Sequence, residues 1–218
     1  YVNIDIANVG ANVDGMIKAI SSIKEIYDGK VVAGNVATVE LAIELQKAGT
    51  DIVKVGIGSG AACLTRTEVG VGVPQFSAIQ TIAQSLDIPI ISDGGCKTPG
   101  DVCKAIAAGA DYVMLGGMFA GCREFAGKDG FVNFFGLGSE QMYTTYVPTD
   151  NEYRPVEGRT LKIPAGKPLV DVMGQLKGAL RSVCTYVGVE NIRDLKYKAK
   201  FIEVKHQVNR SLEQHDVS

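Results

Sequence analysis

The stretch "GIGSGAACLTR", residues 56–66, gathers residue types from which nucleophilic chemistry is built. Gly56, Gly58 and Gly60 permit φ > 0 and let the backbone approach a ligand or ion closely. Backbone groups in such a loop can form an anion-binding nest or turn carbonyls towards a cation. Cys63 supplies a thiol and Thr65 a hydroxyl that can position a proton or a leaving group. Arg66 would favour the thiolate electrostatically. On its own the motif leaves a second reading open, an inert buried cysteine on a tight turn.

Three further clusters have the same double character. "SDGG" (92–95) sets Asp93 ahead of two glycines, which suits sugar hydroxyls or, equally, a turn cap. "MLGGMFAG" (114–121) places Gly116 and Gly117 between a strand and a helix. Free N–H groups there can meet a phosphate, and the same glycines would also serve close packing. "EYRPVEGRT" (152–160) contains Arg154, Glu157 and Arg159. Glu157 could act as an acid–base group once a closing flap removes it from water, or belong to a solvated loop. Cys96, Cys103 and Cys122 have no base nearby in sequence and read as packing residues; His206 and His215 read as surface groups.

The elements that must position these clusters follow from periodicity. Strands are expected at 2–7, 30–34, 51–56, 88–95 and 111–117, and helices at 13–27, 39–49, 76–86, 100–110 and 169–188. Alternating strands and helices with short connections mean parallel strands under crossover helices. Every glycine or polar cluster follows the C-terminal end of a strand, where both barrels and open doubly wound sheets bind ligands. Residues 118–168 look irregular and are expected to form a flap, at about 123–168, over the strand ends. Residues 201–209 could be an edge strand or an extended tail.

Bulk properties exclude some classes. The 218 residues, 46% hydrophobic, suffice for one sizeable core. A net charge of −2 argues against a nucleic-acid or membrane-surface partner. No apolar run approaches the roughly 20 residues of a membrane span, and the first residues lack signal-peptide character. Five cysteines without a CxxC imply neither a disulfide framework nor a zinc site. A cytoplasmic protein is the expectation.

Read together, "AGNVAT" (33–38), "VKVGIGSGAACLTR" (53–66), "GVGVPQFSAI" (70–79), "SDGGCKTPGDVCKA" (92–105) and "ADYVMLGGMFAG" (110–121) resemble the IMP dehydrogenase/GMP reductase family. The likeness runs from Val2 to about Asn209 and is closer to the reductase branch. The flap has no Arg–Tyr dipeptide, while "EYRPVEGRT", "DIAN" (5–8), "SVCTYVG" (182–188), "FIEVKHQVN" (201–209) and Gly116–Gly117 all look reductase-like.

The resemblance implies a (β/α)₈ TIM barrel whose first strands would precede Tyr1, with 1–218 as the C-terminal part of one catalytic domain. It implies NADPH-dependent reductive deamination of GMP to IMP by a homotetramer. The Cys63 thiolate would attack C2 of the purine, and ammonia would leave with help from Thr65 and Glu157. Asp93 would hold the ribose hydroxyls. Gly94, Gly95, Gly116 and Gly117 would approach the nucleotide, the last two at its phosphate. Gly136, Leu137 and Gly138 would border base and phosphate, with Arg154, Glu157 and Gly158 closing over them. Asp5, Ile6, Ala7, Ile57, Gly58, Tyr153 and Arg154 would meet the cofactor, together with Ser182, Val183, Cys184 and Thr185 from a neighbouring subunit. Carbonyls of Gly58, Gly60 and Cys63 match the family's potassium site. An IMP dehydrogenase making XMP with NAD, and a non-catalytic purine-nucleotide-binding protein, remain as alternatives. The main departure is "GSGA" (58–61) where the family has "GPGS", which removes a proline from the turn and a hydroxyl from the nucleotide site.

Overall fold

The computed structural model describes residues 1–145 and 155–205. Five strands form one parallel sheet: β1 (Val2–Asp5), β2 (Val31–Val36), β3 (Ile52–Val55), β4 (Ile90–Asp93) and β5 (Tyr112–Met114). The crossovers are α1 (Val13–Ile26), α2 (Val39–Lys47), α3 (Thr65–Glu68) followed by α4 (Gln75–Ala83), and α5 (Pro99–Ala107). Beyond β5 come α6 (Gly117–Ala120), β6 (Phe131–Phe135), α7 (Glu140–Thr145), β7 (Thr160–Pro164), α8 (Leu169–Val187) and α9 (Leu195–Lys198).

The strand order is β1-β2-β3-β4-β5. A doubly wound sheet reverses its order at a switch point; a barrel adds each new strand on the same side. The monotonic order therefore makes these five strands an arc of a barrel. Every residue of β2 and β3 is buried, whereas the outer strands β1 and β5 are only partly covered. Ile20, Leu45, Val53, Val55, Ile79, Ile82 and Ile90 are at most 1% exposed and fill the layer between sheet and helices. Each such side chain contributes about 1.5–3 kcal/mol of apolar burial.

Local sequence sets the helix ends. Asn12 accepts from the Gly15 amide at the start of α1, at 3.0 Å. Thr98 and Asp101 form a reciprocal capping box on α5, with Pro99 in its first turn. At the N-terminal end of the sheet Asp51 accepts from Lys24, from Lys30 at 2.9 Å and from the Val31 amide at 2.8 Å. Burial works against its ionised form, but these three donors outweigh it and hold the carboxyl well below the ordinary range.

One expectation needs correction, and one choice between two readings is narrowed. The described residues of 118–168 are not all irregular: β6 and β7 pair antiparallel, from Phe131 opposite Pro164 to Phe135 opposite Thr160. The sequence hides this ribbon because 24 residues separate its strands, far more than a short hairpin loop holds. Residues 201–205 carry no strand. Phe201 instead packs edge-on against Phe76, with ring centroids 4.6 Å apart. The remainder of that stretch, with His206 and His215, lies outside the described residues. Among the described residues no helix is long and apolar enough to cross a membrane.

Candidate active site

The site grows from the loops after β3 and β4. Gly56 leaves β3 at φ +148°, and a Cβ there would lie 2.0 Å from the Asp93 carbonyl oxygen. Only glycine allows the two loops to pass this closely. Ser59, standing where the family has proline, ties them together. Its Oγ donates to the Asp93 carbonyl at 3.1 Å, and its own carbonyl accepts from the Gly95 amide at 2.9 Å. The turn has lost a ring and gained a cross-link.

Cys63 follows on this anchored turn, its amide donating to the Gly60 carbonyl at 3.1 Å. Its Sγ donates to Thr65 Oγ1 at 3.2 Å. Arg66 makes its own hydrogen bond away from the sulfur. Its guanidinium donates to the Val73 carbonyl and its stem packs beside Gly58 and Gly72. The hydroxyl of Thr65, two residues from the thiol, is the group that reaches it.

Glu157 arrives from the other side. Its carbonyl accepts from the Leu64 amide at 2.7 Å, and its amide and that of Gly158 both donate to the Gly138 carbonyl, at 3.0 and 2.9 Å. The Arg159 amide donates to the Ala62 carbonyl at 2.9 Å, and its guanidinium donates to the Ala61 carbonyl at 3.0 Å. Gly158 makes β-bridges to both Cys63 and Ser139. Residues 157–159 are thus stitched between the cysteine loop and the loop after β6. Far from being a solvated loop, the segment forms one wall of the site.

The walls enclose a cavity of about 340 Å³ at the C-terminal ends of the strands. Cys63, Thr65 and Glu157 line it, and so do Asp93, Gly94 and Gly95. Gly116 and Gly117 line it where α6 begins, Gly136, Leu137 and Gly138 after β6, and Ala7, Ile57, Gly58 and Gly60 complete that set. Gly158 stands behind the lining as a bridge. Ile6 does not reach the cavity; its side chain packs on the hydrophobic core. Ser182, Val183, Cys184 and Thr185 lie on α8, which packs against α5 and contributes nothing to the lining. Tyr153 and Arg154 fall outside the described residues.

Two cysteines line the cavity, not one. Cys96, read from sequence as a packing residue, is the second, and burial together with the nearby Asp101 carboxylate pushes its thiol up to about 11. It stays protonated at neutral pH. Sequence reasoning placed Asn35 at a strand end without giving it a role, and missed Lys54. Lys54 is 2% exposed in the middle of the apolar strand β3, and it pairs with Asp5 and, at 3.6 Å, with Asp93. Asn35 Nδ2 donates to Asp93 Oδ2 at 2.9 Å and to the Gly56 carbonyl at 2.7 Å. A lysine inside "DIVKVG" was the available signal, since lysine is almost never fully buried without a partner.

Small-molecule sites span about 300–1,000 Å³, so the cavity suits one compact ligand and a dinucleotide would extend beyond it. Asn35 Oδ1, buried among the lining residues, has no hydrogen-bond partner. It is an acceptor ready for a ligand N–H or O–H, which fits a ligand carrying amide or hydroxyl groups. The proposed cation donors fit less well. Hard cations take about six to eight oxygens, whereas the match supplies three carbonyls. One of these, from Gly60, already accepts the Cys63 amide. By themselves they make part of a cation site.

Sheet order and cavity position define a (β/α)₈-barrel protein with its site at the C-terminal face of the strands. Residues 1–215 match the model of the IMP dehydrogenase / GMP reductase domain. The chain is 43% identical to the GMP reductases of Escherichia coli (strain K12 / DH10B) and Citrobacter koseri, over 96% of its own length. It spans 63% of the length of those relatives. It superimposes with a TM-score of 0.82 and 33% identity on a cysteine-to-alanine variant of GMP reductase from Trypanosoma brucei, crystallised with guanosine 5'-monophosphate. That match covers 92% of this chain and 44% of the other. The chain belongs to the IMP dehydrogenase/GMP reductase family.

Proposed function

We propose that this site performs the NADPH-dependent reductive deamination of GMP to IMP. The observation that carries the reading is the Cys63 thiol bonded to the Thr65 hydroxyl at 3.2 Å in a cavity that Glu157 also lines. A nucleophile, a hydroxyl relay and a carboxyl on opposite walls of one pocket are the parts that covalent deamination needs. The relatives named above support the choice of substrate.

In this reading the Cys63 sulfur bonds to C2 of the purine and the C2–amino bond breaks. The amine takes its proton through Thr65 and Glu157 and leaves as ammonia. NADPH, when bound, supplies the hydride that C2 receives. The sulfur–carbon bond then breaks, returning the Cys63 thiolate and IMP. Asp93 holds the ribose hydroxyls and the amides at Gly116 and Gly117 face the phosphate, while Asp5 and Ala7 serve the cofactor. Ser182 to Thr185, away from this chain's own cavity, complete the cofactor site of a neighbouring copy in a homotetramer. A potassium ion at the Gly58, Gly60 and Cys63 carbonyls would draw its remaining oxygens from elsewhere in that assembly.

Incubating the full-length protein with GMP plus NADPH, and separately with IMP plus NAD, tests this. Ammonia and IMP from the first mixture are expected. NADH and XMP from the second, with nothing from the first, would make it an IMP dehydrogenase and sink the reading.

A further inference from the structure

Behind Asp93, which lines the cavity, one cation lies between two carboxylates; neither that cation, Lys54, nor the second carboxylate, Asp5, is part of the lining. The Lys54 side chain, 3% exposed, hydrogen-bonds Asp5 Oδ2, and the same nitrogen lies 3.6 Å from Asp93 Oδ2. Asn35 donates to Asp93 Oδ2 and to the Gly56 carbonyl. Both of those partners are acceptors, so the orientation of the amide is forced and its Oδ1 must face elsewhere. Each carboxylate is held through Oδ2. Oδ1 of each has no protein hydrogen-bond partner among the described residues. The carboxylate side chains are 30% and 27% exposed, so both can still accept bonds from a ligand.

We propose that Lys54 is a positioning residue that couples the nucleotide and cofactor subsites by dividing one buried positive charge between Asp93 and Asp5. The proposal rests on the functional reading above, in which Asp93 meets the ribose and Asp5 the cofactor. One ammonium group cannot fully neutralise two carboxylates. Because the Lys54 side chain is itself buried from water, whatever it withdraws from one it gives to the other. A ligand hydroxyl donating to Asp93 lowers that carboxylate's demand on Lys54, which then binds Asp5 more firmly and makes it a poorer acceptor for the second ligand. Removing either carboxylate leaves the whole cation on the survivor and makes it a poorer acceptor for its own ligand.

This coupling is read by calorimetric titration of GMP and of NADPH into the full-length protein. Asp5→Asn, at a residue outside the nucleotide subsite, is expected to weaken GMP binding about fivefold. Asp93→Asn should weaken NADPH binding by a similar factor. In a Lys54→Met background Asp5→Asn should leave GMP affinity unchanged, and Lys54→Arg should restore the cross-effect. Equal effects of Asp5→Asn with and without Lys54 would overturn the proposal, as would no cross-effect in either single variant. If Lys54→Met does not fold, by its unfolding curve, the two single-carboxylate variants decide the matter alone. A wild-type protein that binds neither GMP nor NADPH overturns the functional reading and the coupling with it, whereas tight binding without a cross-effect overturns the coupling alone.

Discussion

A lysine–carboxylate cluster stands at each end of strand β3, and the two are built in opposite proportions. At the N-terminal end one carboxylate, Asp51, receives two lysines and a backbone amide. At the C-terminal end one lysine, Lys54, is shared by Asp5 and Asp93, with a single amide donor from Asn35. A surplus of donors fills the carboxylate at the first end and ties the starts of β2 and β3 to α1. A surplus of acceptors at the second leaves oxygens free, including Asn35 Oδ1, which has no partner among the described residues. Both clusters use the same residue types, and stoichiometry separates a fastener from a receptor. It matches the rule that barrels place chemistry at the C-terminal face of their strands and stability at the other.

The contrast breaks if changes at the two ends have the same consequence. Cys63→Ala, at the receptor end, should reduce turnover of GMP with NADPH by about 10⁴-fold or more. GMP affinity and the melting temperature should remain close to wild type. A protein with no activity to lose, yet intact nucleotide affinity, would be a silent binding protein. Glu157→Gln should lower kcat by about 10²–10³-fold and leave Cys63 able to bond the purine, which mass spectrometry of the trapped enzyme would detect. Asp93→Asn should weaken GMP by about 10- to 100-fold, the range for losing a hydrogen bond to a charged group, without moving the unfolding midpoint.

The smallest effect is expected at the fastener end. Asp51→Asn should cost about 1 kcal/mol in denaturant unfolding, the value of a charge-assisted bond reduced for partial exposure, and leave KM and kcat alone. Its pH dependence has a defined sign. The folded carboxyl is held below its ordinary value, so its stabilisation is complete above pH of about 4 and is lost as pH falls from there. Wild type and Asp51→Asn should therefore converge in stability in acid. A gap that widened instead would contradict the assignment of Asp51 as a paired anion.

The two ends also differed in how far the sequence exposed them. The parallel strands were readable because buried β-strands are short apolar runs between glycines and amphipathic helices. "GIGSGAACLTR", "SDGG" and "LGG" stood out because glycine and polar residues interrupt those runs at strand ends. Lys54 sat inside a run that read as strand and so was passed over, while Asn35 was placed just beyond the strand at 30–34 without a role. The β6–β7 ribbon was missed for another reason. Its halves, "FVNFF" and "TLKIP", are short and far apart, and their pairing is a long-range fact that no local period signals. Cys96 packs against the core as expected, but its place in the cavity lining could not be read from adjacency in sequence.

The sequence by itself determined the order of strands and helices, the placement of Cys63, Thr65, Asp93 and the paired glycines at strand ends, and the family likeness. Those properties are local, carried by periodicity, glycine and motif spacing. Tertiary structure alone decided three things. Glu157 forms a wall opposite Cys63 because backbone hydrogen bonds tie residues 157–159 to two separate loops. Ser59 replaces a stiff turn with a cross-link to Asp93. Lys54 lies between two carboxylates carried by different strands. Each depends on segments brought together only when the sheet forms, and hydrogen bonds and charges act over ångströms in space, whatever the separation along the chain.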